Sequence, residues 1–336
     1  MRAVGYRTPG PISRPDALED IELPRPQAAG RDLLVEVRAI SVNPVDTKVR
    51  NGMAPEGSGW RVLGWDVAGT VVETGPGVTL FKPGDAVYYA GDLTRQGANA
   101  EFHLVDERLV APKPETLDWA QAAALPLTGL TAWEALFDRL DVGRPVPGAD
   151  GLLILGGAGG VGSIAVQLAR QLTDLTVIAT ASRPETREWV SSLGAHHVPD
   201  HSRPLAPQMA EAGLKAPGFV FSITHTDSHL PAIADLIAPQ GRFALIDDPG
   251  AIDISPFKRK AVSIHWEYMF ARSMFHTPDM ERQGHILKEL AGLVDSGIVQ
   301  TTLTERFGGI NAQNLMHAHR QIESGKVRGK IVLEGF

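Results

Sequence analysis

The sequence predicts an α/β protein in two parts: a β-rich unit, and a doubly wound parallel sheet with helices on its faces. Three observations predict it. Before Pro126 the apolar residues alternate in short runs broken by Gly- and Pro-rich turns. From about residue 151 to 265, fully apolar runs alternate with segments of helical spacing. Where the first of those runs ends, a glycine-rich turn, Gly157 to Gly162, leads into a helix-like segment.

The elements follow in order. Leu33 to Ile40, Val67 to Glu73 and Ala86 to Ala90 are strand-like runs, separated by "TGPGV" (Thr74 to Val78) and "KPGD" (Lys82 to Asp85). Many short strands with such punctuation describe a barrel-like β unit. Leu127 to Leu140 has helical texture. Gly151 to Gly157 is a buried parallel strand by its unbroken apolar run, Val161 to Leu172 a helix, Leu175 to Ser182 a second strand and Pro184 to Leu193 a second helix. Gly218 to Thr224 and Gly241 to Asp247 repeat the buried-strand signature. The tail holds helices at His285 to Asp295 and Asn311 to Ser324, then an apolar strand, Lys330 to Leu333. Domains are therefore expected at 1–125 with 270–336 (β-rich) and at 126–269 (doubly wound).

Bulk properties narrow the function. A chain of 336 residues is long enough for two cores, and 43% hydrophobic with 21% charged residues does not read as disorder. A net charge of -7 offers no attraction to nucleic-acid phosphates or anionic membranes. With no cysteine, disulfides and thiolate metal sites are excluded. No apolar run approaches the roughly 20 residues of a membrane span, and Met1 to Gly10 lacks a signal-peptide core. The expectation is a soluble cytoplasmic protein with no nucleic-acid or membrane partner.

Gly157-Ala158-Gly159-Gly160-Val161-Gly162 matches G-x-G-x-x-G in the strand–turn–helix context of a Rossmann dinucleotide site. Gly157 is expected to make the turn, Gly159 to admit the pyrophosphate and Gly162 to allow close helix–strand packing, with the helix N-terminus favouring the anion. The end of the second strand selects the cofactor. An NAD site places Asp or Glu there, about 20 residues on from the motif. Here that position falls on Ser182 and Arg183, with Arg187 beyond and no carboxylate before Glu185. These groups suit a 2′-phosphate, so NADPH is the expected cofactor.

Longer segments carry a resemblance. "SVNPVDTKVRNG" (Ser41 to Gly52), "LGWDVAGTVVETGPGVTLFKPGDAV" (Leu63 to Val87), "AAALPLTGLTAWEAL" (Ala122 to Leu136), "GGAGGVG" and "SGKVRGKIVL" (Ser324 to Leu333) are similar to the medium-chain dehydrogenase/reductases. The nearest branch is quinone oxidoreductase-like. "HWEYMFARSMF" (His265 to Phe275) resembles a subgroup labelled zinc-type alcohol dehydrogenase-like. The resemblance implies a GroES-like barrel beside the Rossmann domain, and a homodimer whose contact lies near Val262 to Phe270.

Zinc-dependent relatives use Cys, a His-Glu pair and a further Cys or Asp at the metal. Here the first position is Asn43 and the pair is Trp65-Asp66, and the cysteine-rich lobe is missing. Zinc chemistry is not expected. His197/His201 and His225/His229 have i, i+4 spacing but no third ligand, so they read as solvated or locally bonded.

Without a metal, hydride delivery to an electron-poor acceptor, a quinone or an α,β-unsaturated carbonyl, needs mainly orientation and modest electrostatic help. By the resemblance, Asn43 and Asp46 lie near the nicotinamide. Asn43 is expected to donate a hydrogen bond, and Asp46 to orient as an exposed, ionised carboxylate. Thr128, Thr131, Thr224 and Lys330 are implied cofactor contacts. Tyr268 is the candidate proton donor, with Tyr88, Tyr89 and water as alternatives. Two other readings remain open: a non-catalytic NADPH-binding protein, and a zinc-dependent alcohol dehydrogenase.

Overall fold

Strands β1 (Arg2–Tyr6), β2 (Glu19–Glu22), β3 (Asp32–Ser41), β4 (Arg61–Val62), β5 (Val67–Thr74), β6 (Ala86–Tyr89), β7 (Phe102–Asp106) and β8 (Val110–Pro112) occupy the start of the chain. β9 (Gly151–Leu155), β10 (Thr176–Ala179), β11 (Phe219–Ser222), β12 (Arg242–Leu245) and β13 (Ser263–Trp266) follow, and β14 (Leu303–Arg306) and β15 (Lys330–Glu334) come last. The computed structural model describes residues 1–55 and 59–336. It divides into one compact unit of Met1–Leu130 with Phe270–Phe336 and another of Thr131–Met269.

The first unit is a mainly antiparallel seven-stranded sheet in the order β14-β15-β3-β5-β6-β8, with β7 also on β3, and a small sheet β2-β1-β4. Register shifts between Leu34/Val35 and Val37/Ala39 where β3 meets β5 bend the sheet. Leu33, Leu34, Val35, Ile40, Val67 and Val87 are completely buried. Helix α1 (Pro44–Gly52) interrupts the strands directly after β3. Its start is legible: Asn43 is the extended N-cap, Pro44 presets the first turn, and the Asp46 carboxylate accepts from the Asn43 N–H at 2.7 Å.

The second unit is a five-stranded parallel sheet, β10-β9-β11-β12-β13. It is buried on both faces, so its strands read as continuous apolar runs rather than alternations. Leu153, Ile178, Val220, Phe243 and Leu245 meet Ile233, Ile237 and Phe257 in one core cluster.

The helices that frame these sheets are α2 (Trp119–Ala123), α3 (Pro126–Trp133), α4 (Gly160–Leu172) and α5 (Pro184–Ser192), followed by further helices that include Thr226–Leu236, Arg282–Asp295 and Ala312–Glu323. Three expectations shift. The helix expected over Leu127 to Leu140 changes at Glu134 into a π-helical turn, Glu134–Arg139, marked by the Leu140 N–H reaching the Ala135 carbonyl. The strand expected to end at Ser182 stops at Ala179. Thr180 leaves the sheet so that its hydroxyl can accept from the Gly156 N–H at 3.1 Å. Helices Leu205–Glu211 and Thr226–Leu236 were not anticipated, because Pro207 and Pro231 break their pattern.

Candidate active site

In the β-rich unit, the side chains of Asn43, Asp46, Asp66 and Lys330 form one buried polar cluster. Asp66, at the entry to β5, has no exposed surface. One of its oxygens accepts from the Leu127 N–H in the first turn of α3 at 2.7 Å. The other accepts from Asn43 Nδ2 at 2.8 Å and from Lys330 Nζ at 2.9 Å. The Lys330 ammonium also donates to the Val42 carbonyl at 3.1 Å and to Asn43 Oδ1. Asp46 closes the cluster, accepting from the N–H groups of Asn43 and Gly64 at 2.7 and 3.0 Å. Burial pushes both carboxyls upward, and the Lys330 charge opposes it. Asp46 is carried to about 7.

This geometry bears on three expectations. Asp46 is not an exposed carboxylate: it is 1% exposed, and it orients α1 through backbone N–H groups. The Asn43 amide, also 1% exposed, donates to Asp66 and, at 3.5 Å, to the Ser41 carbonyl. Its hydrogen bonds are therefore internal to the protein. Lys330, implied as a cofactor contact, spends all three of its donors inside the same cluster. Asp66 was read only as a missing zinc ligand. A carboxylate beside Trp65 in an otherwise apolar stretch was the available signal.

The same unit holds Thr128, whose buried hydroxyl bonds back to the Leu125 and Ala124 carbonyls just before α3. Tyr88 donates to the Leu287 carbonyl and Tyr89 pairs with His103 at 2.9 Å. Both tyrosines are fully buried and structural.

In the parallel-sheet unit, β9 delivers the glycine turn to the N-terminus of α4. The left-handed residue is Gly156, at φ +88°, and not Gly157, whose added Cβ would press on Ala179 at 2.9 Å. The working pattern is thus Gly156, Gly159 and Gly162. A Cβ at Gly159 would meet only the Gly156 carbonyl, at 3.9 Å, so this face is open for a phosphate. At Gly162 it would lie 2.3 Å from that oxygen, so only glycine lets α4 pack on the turn. Gly160 and Val161 form the first turn of α4, where N–H groups point outward.

At the end of β10, Ser182 is half-buried, and Arg183 pairs with Glu185 at 3.0 Å in the first turn of α5. Arg187 is exposed; the Asp200 carboxyl is held below its usual range first by the Ser202 hydroxyl, with the charges of His201 and then Arg187 adding to it. Thr224 is exposed, with its hydroxyl on His225 Nδ1 at 2.8 Å and its methyl facing the Gly156 turn. Thr131 is buried. Tyr268 follows β13 and is 46% exposed. Partial burial, and then Asp248, hold its hydroxyl above the ordinary tyrosine range. His201 and His229 stack edge-on, and His201 bonds Thr180 at 3.1 Å. Among the described residues, no three His, Asp or Glu side chains are grouped to hold a metal.

Comparison with known proteins gives a consistent pattern. Residues 29–115 match the alcohol dehydrogenase GroES-like domain, and residues 193–333 match a domain described as zinc-binding dehydrogenase. The zinc-type alcohol dehydrogenase-like protein SAS2087 of Staphylococcus aureus is 39% identical over 99% of each chain. The 2-methylene-furan-3-one reductase of Solanum lycopersicum is 30% identical over 90% of this chain and 71% of its own. A chloroplast envelope quinone oxidoreductase homolog of Arabidopsis thaliana is 30% identical over 99% and 98%. Among solved structures, a Rhizobium etli CFN 42 protein described provisionally as a zinc-dependent alcohol dehydrogenase superposes with a TM-score of 0.98. It is 66% identical, over 100% of this chain and 98% of that one. Mycobacterial Rv1454c, solved with NADPH, gives 0.83 at 27% identity, over 99% and 100%.

Proposed function

This chain belongs to the medium-chain dehydrogenase/reductase family, on its quinone oxidoreductase-like branch, and on that premise we propose that it is a zinc-free oxidoreductase that uses NADPH to reduce a quinone or an electron-poor C=C or carbonyl acceptor. The observation that carries the reading is the Asn43–Asp66–Lys330 cluster. By the resemblance, Asn43 and Asp66 stand at positions where zinc-dependent relatives place metal ligands, and an acceptor atom of each is already engaged by the buried Lys330 ammonium. A divalent ion there would have to displace Lys330 against charge repulsion. The zinc in the names of several relatives does not bring ligands to this chain.

The residues present fit NADPH. The open face of Gly159 and the first turn of α4 suit a pyrophosphate, and Ser182, Arg183 and Arg187 suit a 2′-phosphate. NADPH supplies the hydride. The protein's part is to bind and orient, with Asn43 and Asp46 fixing the start of α1, and Tyr268 as the exposed hydroxyl able to give a proton to the reduced acceptor. The tomato enone reductase and the Arabidopsis quinone oxidoreductase homolog support the acceptor class.

The protein also pairs as a homodimer through β13 in this reading, since β13 is the outer strand of its sheet, with Trp266 57% exposed. The test of function is NADPH oxidation against quinones, enones and aldehydes, beside metal analysis of the purified protein. Turnover of a quinone or enone that survives chelation is the expected result. Activity that tracks bound zinc, or oxidation of simple alcohols alone, would overturn it.

A further inference from the structure

The π-helical turn has a purpose that the proposed chemistry leaves unused. In an α-helix, residues five apart point to different sides. In a turn that bonds i to i+5, they stack on one face. Glu134 and Arg139 are five apart and span this turn. Both bear on Glu267, directly after β13: Arg139 Nε lies 2.9 Å from Glu267 Oε2, Glu267 Oε1 is buried with no hydrogen-bond partner, and the buried Glu134 carboxyl is close enough to raise that of Glu267.

Glu134 and Glu267 are 1% and 2% exposed. Two carboxyls can share a hydrogen bond only if one keeps its proton. A second buried negative charge here would face repulsion that the single Arg139, itself 33% exposed on its side chain, does not cancel. The other titratable groups around this corner include Asp138, on the turn beside Arg139, and His265, whose charged form is disfavoured by burial and by Arg139, Arg242 and Arg144. His265 lies on β13, Arg242 on β12, and Arg144 and Asp141 stand beyond, with Asp141 3.8 Å from Arg242.

We infer that Glu134 and Glu267 form a one-proton clasp that positions the segment after β13, and with it Tyr268. Glu267 is clamped at three points: its N–H donates to the Leu245 carbonyl at 3.0 Å, its carboxyl pairs with Arg139, and the shared proton ties it to Glu134. Tyr268 is the next residue. The same clasp joins the two ends of the parallel-sheet unit, since Glu134 lies just inside its first residue, Thr131, and Glu267 just inside its last, Met269. Glu267 is a positioning residue. The Tyr268 part of the inference rests on the proposed role of that tyrosine, whereas the clasp itself does not.

Burial, and then Glu134, raise the Glu267 carboxyl above its ordinary range. The folded protein therefore holds a proton that the unfolded chain has released. Stability from this source is complete below the ordinary Glu range and is lost as pH rises toward the raised value, by up to about tenfold in the folding equilibrium per pH unit.

The experiment compares the wild type with Glu267→Gln and Glu134→Gln. Melting temperature is read from about pH 7.5 to 9.5, above the range of Asp46. Hydrogen exchange of the 263–270 segment, corrected for intrinsic rates, is read over the same range. The amide keeps a neutral hydrogen bond and needs no shared proton. The wild type should lose melting temperature and protection as pH rises, and either variant should lose at most about half as much. If NADPH turnover is found, its alkaline limb should move in the variants, in kcat more than in KM. Parallel pH slopes in all three proteins would overturn the clasp. An unmoved alkaline limb with altered slopes would overturn only the Tyr268 role. Absence of turnover with altered slopes would leave the clasp standing and remove the proposed function.

Discussion

Lys330 and Asp66, 264 residues apart in sequence, form an ion pair at 2.9 Å with almost no exposure on either side chain, and Asn43 is held between them. A buried pair of this kind is worth little over an apolar filling but costs much to break, because one partner is left as an uncompensated charge. Lys330→Met is expected to destabilise the protein by about 3–5 kcal/mol. Lys330→Met combined with Asp66→Asn should recover part of that loss. Denaturant unfolding checks both. NADPH affinity of the folded single variant should be nearly unchanged. A large, selective loss of affinity would return Lys330 to the cofactor.

Asp46 gives a pH dependence of definite sign. Its carboxyl is raised from 3.8 to about 7 in the folded state, mainly by burial. The associated stability is full below about 4 and declines as pH rises to about 7. Asp46→Asn should flatten that window. It should also lower stability by about 1–3 kcal/mol, because one backbone N–H loses its acceptor. Melting curves between those limits decide it. An unchanged slope would show that Asp46 is ionised throughout.

The glycine turn predicts two opposite phenotypes. Gly159→Val should fold and lose NADPH binding, since its side chain enters open space. Gly162→Val should fail to fold normally, since its Cβ would lie 2.3 Å from the Gly156 carbonyl. Calorimetry with NADPH, beside circular dichroism, separates the two.

The pairing of Arg183 with Glu185 sharpens the cofactor prediction. This exposed pair is weak enough for a 2′-phosphate to replace the carboxylate. Arg183→Ala should cost NADPH roughly tenfold to a hundredfold in affinity while sparing NADH. Glu185→Gln should strengthen NADPH binding modestly, and the preference should shrink with salt. Titration of both cofactors into each protein is the measurement. Equal loss of both in Arg183→Ala would make the arginine structural.

The dimer prediction rests on which N–H groups β13 leaves free. Those of Ser263 and Glu267 point to β12, so by alternation those of Ile264 and Trp266 point away from it. Ile264→Pro removes an outward donor without breaking a bond to β12 and should yield a folded monomer in light scattering. A monomeric wild type would remove the edge-pairing proposal.

Much of the architecture was legible because the parallel sheet is buried on both faces, so its strands announce themselves as apolar runs. The glycine turn was legible because its spaced glycines stand between an apolar run and a helix-like segment. The shift from Gly157 to Gly156 was not, because two glycines are adjacent at the turn and only φ shows which of them makes it. The buried cluster was half legible. Asn43, Asp46 and Lys330 were singled out, but Asp66, which joins them to α3, was not, since bonds spanning 23, 61 and 264 positions leave no local period to read. The π turn was invisible because its sequence, "EALFDR", is that of an ordinary helix.

The strand that carries Lys330 is made long after β3, yet it lies inside its sheet, between β14 and β3. A chain still being synthesised therefore holds Asp46 and Asp66 without the cation that makes their burial tolerable. Closing the loop back to β3 is slow, because hundreds of residues separate the partners. Until it closes, the start of α1 should stay hydrated and open to protease.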